Sequence, residues 1–217
     1  LMNKALSCKG VAEGKCMMTF GITGSKAQCK TALSQVKRSI KPYRGVYTGT
    51  LLGKKWAAKR FTMPYLREAL WGKGYAVDTL ETATDWDNVD NLLSKMENTI
   101  RTGLIDHHEQ VHVFTHLSHF YGQGCSIYTT YVFRTDDCHQ ATLARWEKLK
   151  HSASDTIVHN RGTISHQHGV GKDHAPYMPT EKGPLGMLAI RALCETFDPD
   201  KRMNPGTLLN DEAPDNG

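Results

Sequence analysis

The 217-residue chain contains no run of 18 apolar residues and no signal-peptide pattern at its start, so neither a membrane span nor export is expected. Its six cysteines, Cys8, Cys16, Cys29, Cys125, Cys138 and Cys194, include no Cys-x-x-Cys pair. A chain of this length can build a core without covalent staples, so the cysteines point to a reducing compartment, and the cytoplasm is the expected location. There is no low-complexity tract, and 39% hydrophobic with 23% charged residues excludes the disordered and fibrous classes. The formal net charge of +5 comes from Lys and Arg such as Lys54, Lys55, Lys59 and Arg60, without the interleaved aromatics of a nucleic-acid surface. No nucleic-acid partner is therefore expected, only a solvated surface or mild steering of anions. Also missing is a Gly-x-Gly-x-x-Gly fingerprint between a strand and a helix, which excludes a dinucleotide-binding unit within the chain. The opening Leu1-Met2-Asn3-Lys4 reads as the interior of a longer polypeptide.

What is present is concentrated in His166-Gln167-His168-Gly169-Val170-Gly171, followed by His174. Imidazole titrates near neutral pH and glycine lets backbone approach a flat ligand closely, so the combination suits proton movement beside a cofactor. A glycine loop with surface histidines is the plainer alternative. The surrounding stretch, residues 161–183, is rich in Gly, His and Pro and reads as a long functional loop.

Periodicity predicts a strand over 15–22, a helix over 26–40 capped after Thr23-Gly24-Ser25, a strand over 46–52 and a short helix over 64–71 stopped by Gly72. It then predicts a strand over 75–83, an amphipathic helix over 87–103, a hairpin of 111–120 with 125–133, a long helix over 137–157 and a last helix over 184–196. The order implies an α+β fold, an antiparallel sheet covered by helices and built from two ferredoxin-like split βαβ halves, 10–60 and 74–160, in a single domain.

Four segments taken together resemble the C-terminal cap domain of FAD-linked oxidases of the vanillyl-alcohol-oxidase type, closest to their alkyldihydroxyacetonephosphate synthase branch. They are Tyr65-Leu66-Arg67-Glu68 with Glu81-Thr82-Ala83-Thr84-Asp85-Trp86; Ser126-Ile127-Tyr128; residues 162–171; and Phe197-Asp198-Pro199 with Asn204-Pro205-Gly206. The resemblance implies FAD as cofactor, held mainly by an N-terminal FAD-binding domain absent from this chain, a small-molecule substrate, and a homodimer as a further assembly to consider. The isolated chain is expected to bind FAD weakly and to be inactive. A rival from another class is a non-catalytic ferredoxin-like binding module.

By the same resemblance, Tyr128 matches a catalytic tyrosine, and His166 and His168 match two of three consecutive histidines beside the flavin, with Gln167 departing from the pattern. Gly169, Gly171 and Asn204 are expected to approach the cofactor. Arg67 matches an arginine that clamps an anionic substrate, and His116 stands where that branch has a second arginine, which puts a phosphate-bearing substrate in doubt. For each there is a plainer reading: strand packing for Tyr128, a solvated or Glu68- or Glu81-paired side chain for Arg67, and a simple turn for Asn204.

His166 and His168 are expected on opposite sides of their segment, and alternation along a strand sets His119 on the face opposite His112 and His116. Metal-dependent 2-hydroxyacid dehydrogenases of the same superfamily carry a second histidine and a glutamate that this sequence replaces, the latter by Gln167, so no metal is expected.

Overall fold

Tyr75–Asp85, rich in β-branched Thr and Val, forms the first strand, β1, of a three-stranded antiparallel sheet. The hairpin strands β2 (His112–Phe120) and β3 (Gly124–Arg134) complete it in the order β1-β3-β2, so the last strand along the chain lies in the middle. Pairing runs from Tyr75 opposite Arg134 to Asp85 opposite Gly124, and from His112 opposite Val132 to Leu117 opposite Ile127. The coordinates are a computed structural model describing residues 6–8, 10, 11 and 13–210. Residue packing divides the chain into two units, 1–66 and 67–217.

In the second unit, one face of the sheet is closed by helices. The amphipathic helix Val89–Thr102 buries Val89, Leu92, Met96 and Ile100, spaced at helical intervals so that they form one stripe. The long helix His139–His159 adds Leu149, Ala153 and Ile157. Both press on Leu80, Val113, Cys125, Ile127, Tyr131 and Phe133, and burying each large apolar side chain of this core stabilises the unit by roughly 1.5–3 kcal/mol. Gly103, which ends the first of these helices, is required by proximity rather than by its torsions. A Cβ there would stand 2.7 Å from Leu149 Cδ2.

A polar network lies on the same face. Asp78 accepts hydrogen bonds from the Tyr131 hydroxyl at 3.0 Å, Trp146 Nε1 at 2.7 Å and Lys150 Nζ at 3.2 Å. Lys150 also lies 3.8 Å from Asp173, which fastens the loop after Gly171 to the long helix. Burial pushes the Asp78 carboxyl up, but the Lys150 charge and the Trp146 hydrogen bond outweigh it and hold the group below its ordinary range.

The other edge of β1 is bordered by residues 163–166: the backbone N–H of Thr163 donates to Ala83 O and that of His166 to Glu81 O, both at 3.0 Å. This stretch therefore stands where a split βαβ unit has its fourth strand, and it carries the histidine loop to the sheet. Glu181 pins it, accepting from Ile164 N at 2.6 Å and Thr163 Oγ1 at 2.8 Å. Glu181 opens the helix Met178–Phe197, whose turns are broken at Gly183, with φ 67°, ahead of Pro184.

The α+β class and the antiparallel sheet agree with expectation, but all the strands come from the second predicted half. Residues 15–22 are irregular, and 46–52 run into a helix, Leu51–Lys59, so both expected strands of the first half are overturned. The first unit instead presents Lys26–Ile40, entered through a full capping box in which Ser25 and Gln28 satisfy each other's backbone N–H groups, then Leu51–Lys59. No described residue of it is buried. Charge is sorted rather than scattered: residues 1–66 hold 13 Lys and Arg against the single acid Glu13, although the whole chain is only +5. Without apolar partners on both faces, an alternating stretch has nothing to keep it extended.

No helix among the described residues is long and apolar enough to cross a membrane.

Candidate functional site

The register assigns Glu81, Tyr128 and His116 to one row across the sheet, on the face that the helices leave open, since directly opposed residues point the same way. The His116 ring stacks on Tyr128 with centroids 4.9 Å apart, and the His168 ring meets Tyr128 edge-on at 5.7 Å. The expected neighbours of the phenol are therefore present.

Glu81 lies at the centre of this cluster and is buried. Its Oε1 lies 3.1 Å from His166 Nδ1 and accepts from Ser118 Oγ at 2.9 Å, while its Oε2 lies 3.2 Å from His168 Nε2. Burial raises the proton affinity of Glu81, but hydrogen bonds from Ser118, His166 and Ser126 more than offset this and leave the carboxyl below its usual range. His166 reaches onward through Nε2 to the Tyr121 hydroxyl at 3.1 Å.

Both imidazoles of the loop meet one carboxylate, against the expectation that they would point to opposite sides. Residues two apart share a side of an extended segment, so the expected opposition does not hold for this pair; the backbone hydrogen bonds of Thr163 and His166 to β1 bring the loop to Glu81, and Gln167 between the two histidines is left-handed at φ 61°. The facing of His119 is corrected by similar local geometry. Pairing shifts between Leu117 and Phe120, so that Ser118 and His119 together oppose Ser126, a β-bulge. The Ser126 hydroxyl lies 2.6 Å from Ser118 Oγ and accepts from His119 N at 3.0 Å. His119 Nδ1 comes to 3.4 Å from Glu81 Oε1. Glu81, His119 and His166 thereby offer ligand atoms all within 4.8 Å of one another, an arrangement able to hold a divalent cation although the sequence pattern for one is broken.

The family profile "FAD linked oxidases, C-terminal domain" matches residues 2–208. The chain belongs to this family. Among curated relatives, this FAD-linked oxidase domain is 25% identical over 193 residues to alkyldihydroxyacetonephosphate synthase of Trypanosoma brucei brucei and 29% identical over 195 residues to that of Dictyostelium discoideum. Each match takes in 89% of this chain and 31% of the relative. It is also 22% identical over 206 residues to "D-lactate dehydrogenase [cytochrome], mitochondrial" of Arabidopsis thaliana. The domain thus spans about a third of the length of the relatives it matches. A solved structure of alkyldihydroxyacetonephosphate synthase shares its fold with a TM-score of 0.58 at 22% identity, over 84% of this chain and 30% of that one. Its family is one of flavoenzymes.

Arg67 is not gathered into the imidazole cluster. It is exposed on the helix Leu66–Trp71 and borders a cavity of about 440 Å³ with Trp71, Asp78, Trp146, Lys150 and Asp173, none of which belongs to the Glu81 group. Gly169 is left-handed at φ 75°, with no atom within 4 Å of where a Cβ would stand; Gly171 N–H donates to His174 Nδ1 at 3.1 Å. Asn204 is exposed with φ 48°, in a turn whose Gly206 abuts Lys172 of the histidine loop. Sequence reasoning overlooked Glu81, Ser118, His119 and Tyr121 as members of the site. A glutamate flanked by Leu80 and Thr82 in mid-strand was the available signal, because a charge at such a position needs partners.

Proposed function

We propose that this FAD-linked oxidase domain is the substrate-facing cap of an FAD-dependent enzyme that acts on a polar or anionic hydroxy compound or, in the manner of the synthases, on an acyl-dihydroxyacetone phosphate. The ADP part of FAD would be held by an N-terminal domain outside this chain. The large apolar side chains left exposed, Met17, Trp56 and Phe61 among them, support a further partner surface of that kind.

The observation that carries the reading is the convergence of the Tyr128, His116 and His168 rings on the open sheet face, beside a loop that narrows to bare backbone at Gly169. These residues fit a planar ring. His168, Gly169 and Gly171 would border it, with Asn204 closing from the C-terminal turn. Flavin, when bound, supplies the two-electron chemistry. Tyr128 exchanges a proton with the substrate at its hydroxyl oxygen, helped by the flanking imidazoles. His116 holds the polar head of the substrate, and Arg67 supplies a bidentate clamp for an anionic group. The 217-residue chain alone would neither retain FAD nor turn over.

The protein expressed from its full reading frame tests this. Flavin absorbance should co-purify with it and not with residues 1–217, and an alcohol or hydroxy acid should bleach it under anaerobic conditions. A full-length protein without flavin overturns the reading; one whose flavin no hydroxy compound bleaches restricts it to the alkyl-transfer branch. A 2-hydroxyacid substrate is the second reading, favoured by the similarity to the Arabidopsis D-lactate dehydrogenase across 93% of the chain.

A further inference from the structure

Glu81 has no role in the proton exchange just described, yet it is the most enclosed ionisable group of the cluster. Its side chain is 5% exposed, against 14% for His166, 35% for His168 and 43% for His119. A carboxylate at such depth is costly unless its lone pairs are all engaged. Here they face three groups from two separate elements: Ser118 of β2 donates to Oε1, and from the loop after the long helix His166 Nδ1 lies 3.1 Å from Oε1 and His168 Nε2 3.2 Å from Oε2.

An ionised carboxylate only accepts hydrogen bonds, so each imidazole nitrogen facing it must bear a proton. His166 faces it through Nδ1 and His168 through Nε2. In the neutral ring the other nitrogen is then an acceptor. For His166 that is Nε2, which receives the Tyr121 hydroxyl at 3.1 Å. For His168 it is Nδ1, on the ring whose edge meets Tyr128. One buried carboxylate thereby selects opposite tautomers in two histidines only two residues apart.

We propose that Glu81 is the positioning residue of the site: by facing His166 Nδ1 at 3.1 Å and His168 Nε2 at 3.2 Å with its two carboxylate oxygens, it fixes complementary tautomers and leaves Nδ1 of His168 as the proton acceptor on the side of Tyr128. The inference rests on the function proposed above for its consequence to activity, but not for the tautomers themselves. The hydrogen bond from His166 N to Glu81 O holds the two segments in register from the backbone, so the side-chain arrangement does not depend on the imidazoles alone.

The test is nitrogen-15 NMR of the full-length protein labelled at histidine, with His166→Gln and His168→Gln used to assign the signals. The wild type should show a protonated Nδ1 with bare Nε2 at His166, and the reverse at His168, near neutral pH. Glu81→Gln keeps the shape but places an amide donor against one imidazole N–H, so one of the two rings should change tautomer. By analogy with removal of the orienting carboxylate from a Ser-His-Asp triad, kcat should fall by about 10²–10⁴-fold, with KM changed much less. Glu81→Asp should recover part of the loss, as it restores an acceptor-only group. The same tautomer at both histidines in the wild type overturns the proposal, as does a Glu81→Gln enzyme within about threefold of wild-type kcat. Should Glu81→Gln not fold, the wild-type spectrum decides. An inactive wild type with the stated tautomers would count against the proposed function and leave the assignment of Glu81 intact.

Discussion

The Tyr128 ring lies between two imidazoles, stacked on His116 with centroids 4.9 Å apart and met edge-on by His168 at 5.7 Å. Residues separated by 40 positions in sequence thus share one contact, and the sheet register together with the loop that borders β1 brings them there.

Tyr128→Phe should separate chemistry from folding. The ring contacts survive and the hydroxyl is lost, so kcat of the flavin-loaded protein should fall by about 10²–10⁴-fold, while the unfolding free energy changes by no more than about 0.5 kcal/mol. Steady-state kinetics alongside thermal melts would check both; an enzyme of undiminished kcat removes Tyr128 from the proton exchange.

At Gln167 the backbone torsion governs the geometry. Gln167→Gly should be tolerated, since glycine adopts φ 61° without strain. Gln167→Val should cost about 1–2 kcal/mol through the left-handed penalty, and should disturb the loop that carries His166 and His168. Denaturant midpoints and activity measured on the pair would show it: equal behaviour of the two variants contradicts the role given to this residue.

Acid should unfold the second unit early. Asp78, Glu81 and Glu181 are all held below their ordinary carboxyl range: burial works against the charge in each, and Lys150 with Trp146, Ser118 with His166, and Ile164 N with Thr163 respectively outweigh it. Groups depressed in the folded state contribute stability that is complete above the unfolded carboxyl range, about pH 4–4.5, and that disappears as pH falls through their folded values. Urea midpoints measured from about pH 6 down to about pH 2 should therefore drop, and Asp78→Asn with Glu81→Gln should flatten the curve. A wild-type midpoint independent of pH across that window would refute the argument.

Lys150 is 8% exposed and depends on Asp78 as its nearest counter-charge. Asp78→Asn should destabilise the protein by about 3–5 kcal/mol, because it leaves a buried cation without its closest partner, whereas Lys150→Met should cost less. Chemical denaturation of the two single variants and the double variant would reveal the coupling; additive losses would show that the pair does not interact.

Much of the second unit was legible before any coordinates. The apolar stripe at Leu92, Met96 and Ile100, the β-branched runs of the hairpin and the stop at Gly103 all follow from local periodicity and sterics. The strands expected over 15–22 and 46–52 were not there to be found. Their residues alternate in the manner of strands, but a strand is stabilised by what it pairs with, and in that unit no described neighbour supplies a ladder. The candidate residues were legible; their arrangement was not. Tyr128, His116 and His168 came forward from resemblance and chemistry, and they do meet. Arg67, expected with them, borders a separate cavity, a matter of how its helix lies against β1 and the long helix. Glu81 escaped notice because a single glutamate in a strand says nothing of which donors will surround it.

The sequence by itself determined which side chains could do proton chemistry, where the hairpin and the two core helices would form, and which family the chain resembles, since all of these depend on residue types and on intervals of a few positions. Only the tertiary structure decided that His119, His166 and His168 turn toward one carboxylate. That outcome rests on a one-residue bulge opposite Ser126 and on the docking of residues 163–166 along the free edge of β1. The bulge reverses the facing that alternation dictates for His119, and the docking sets the loop histidines against the buried charge of Glu81, which they in turn compensate.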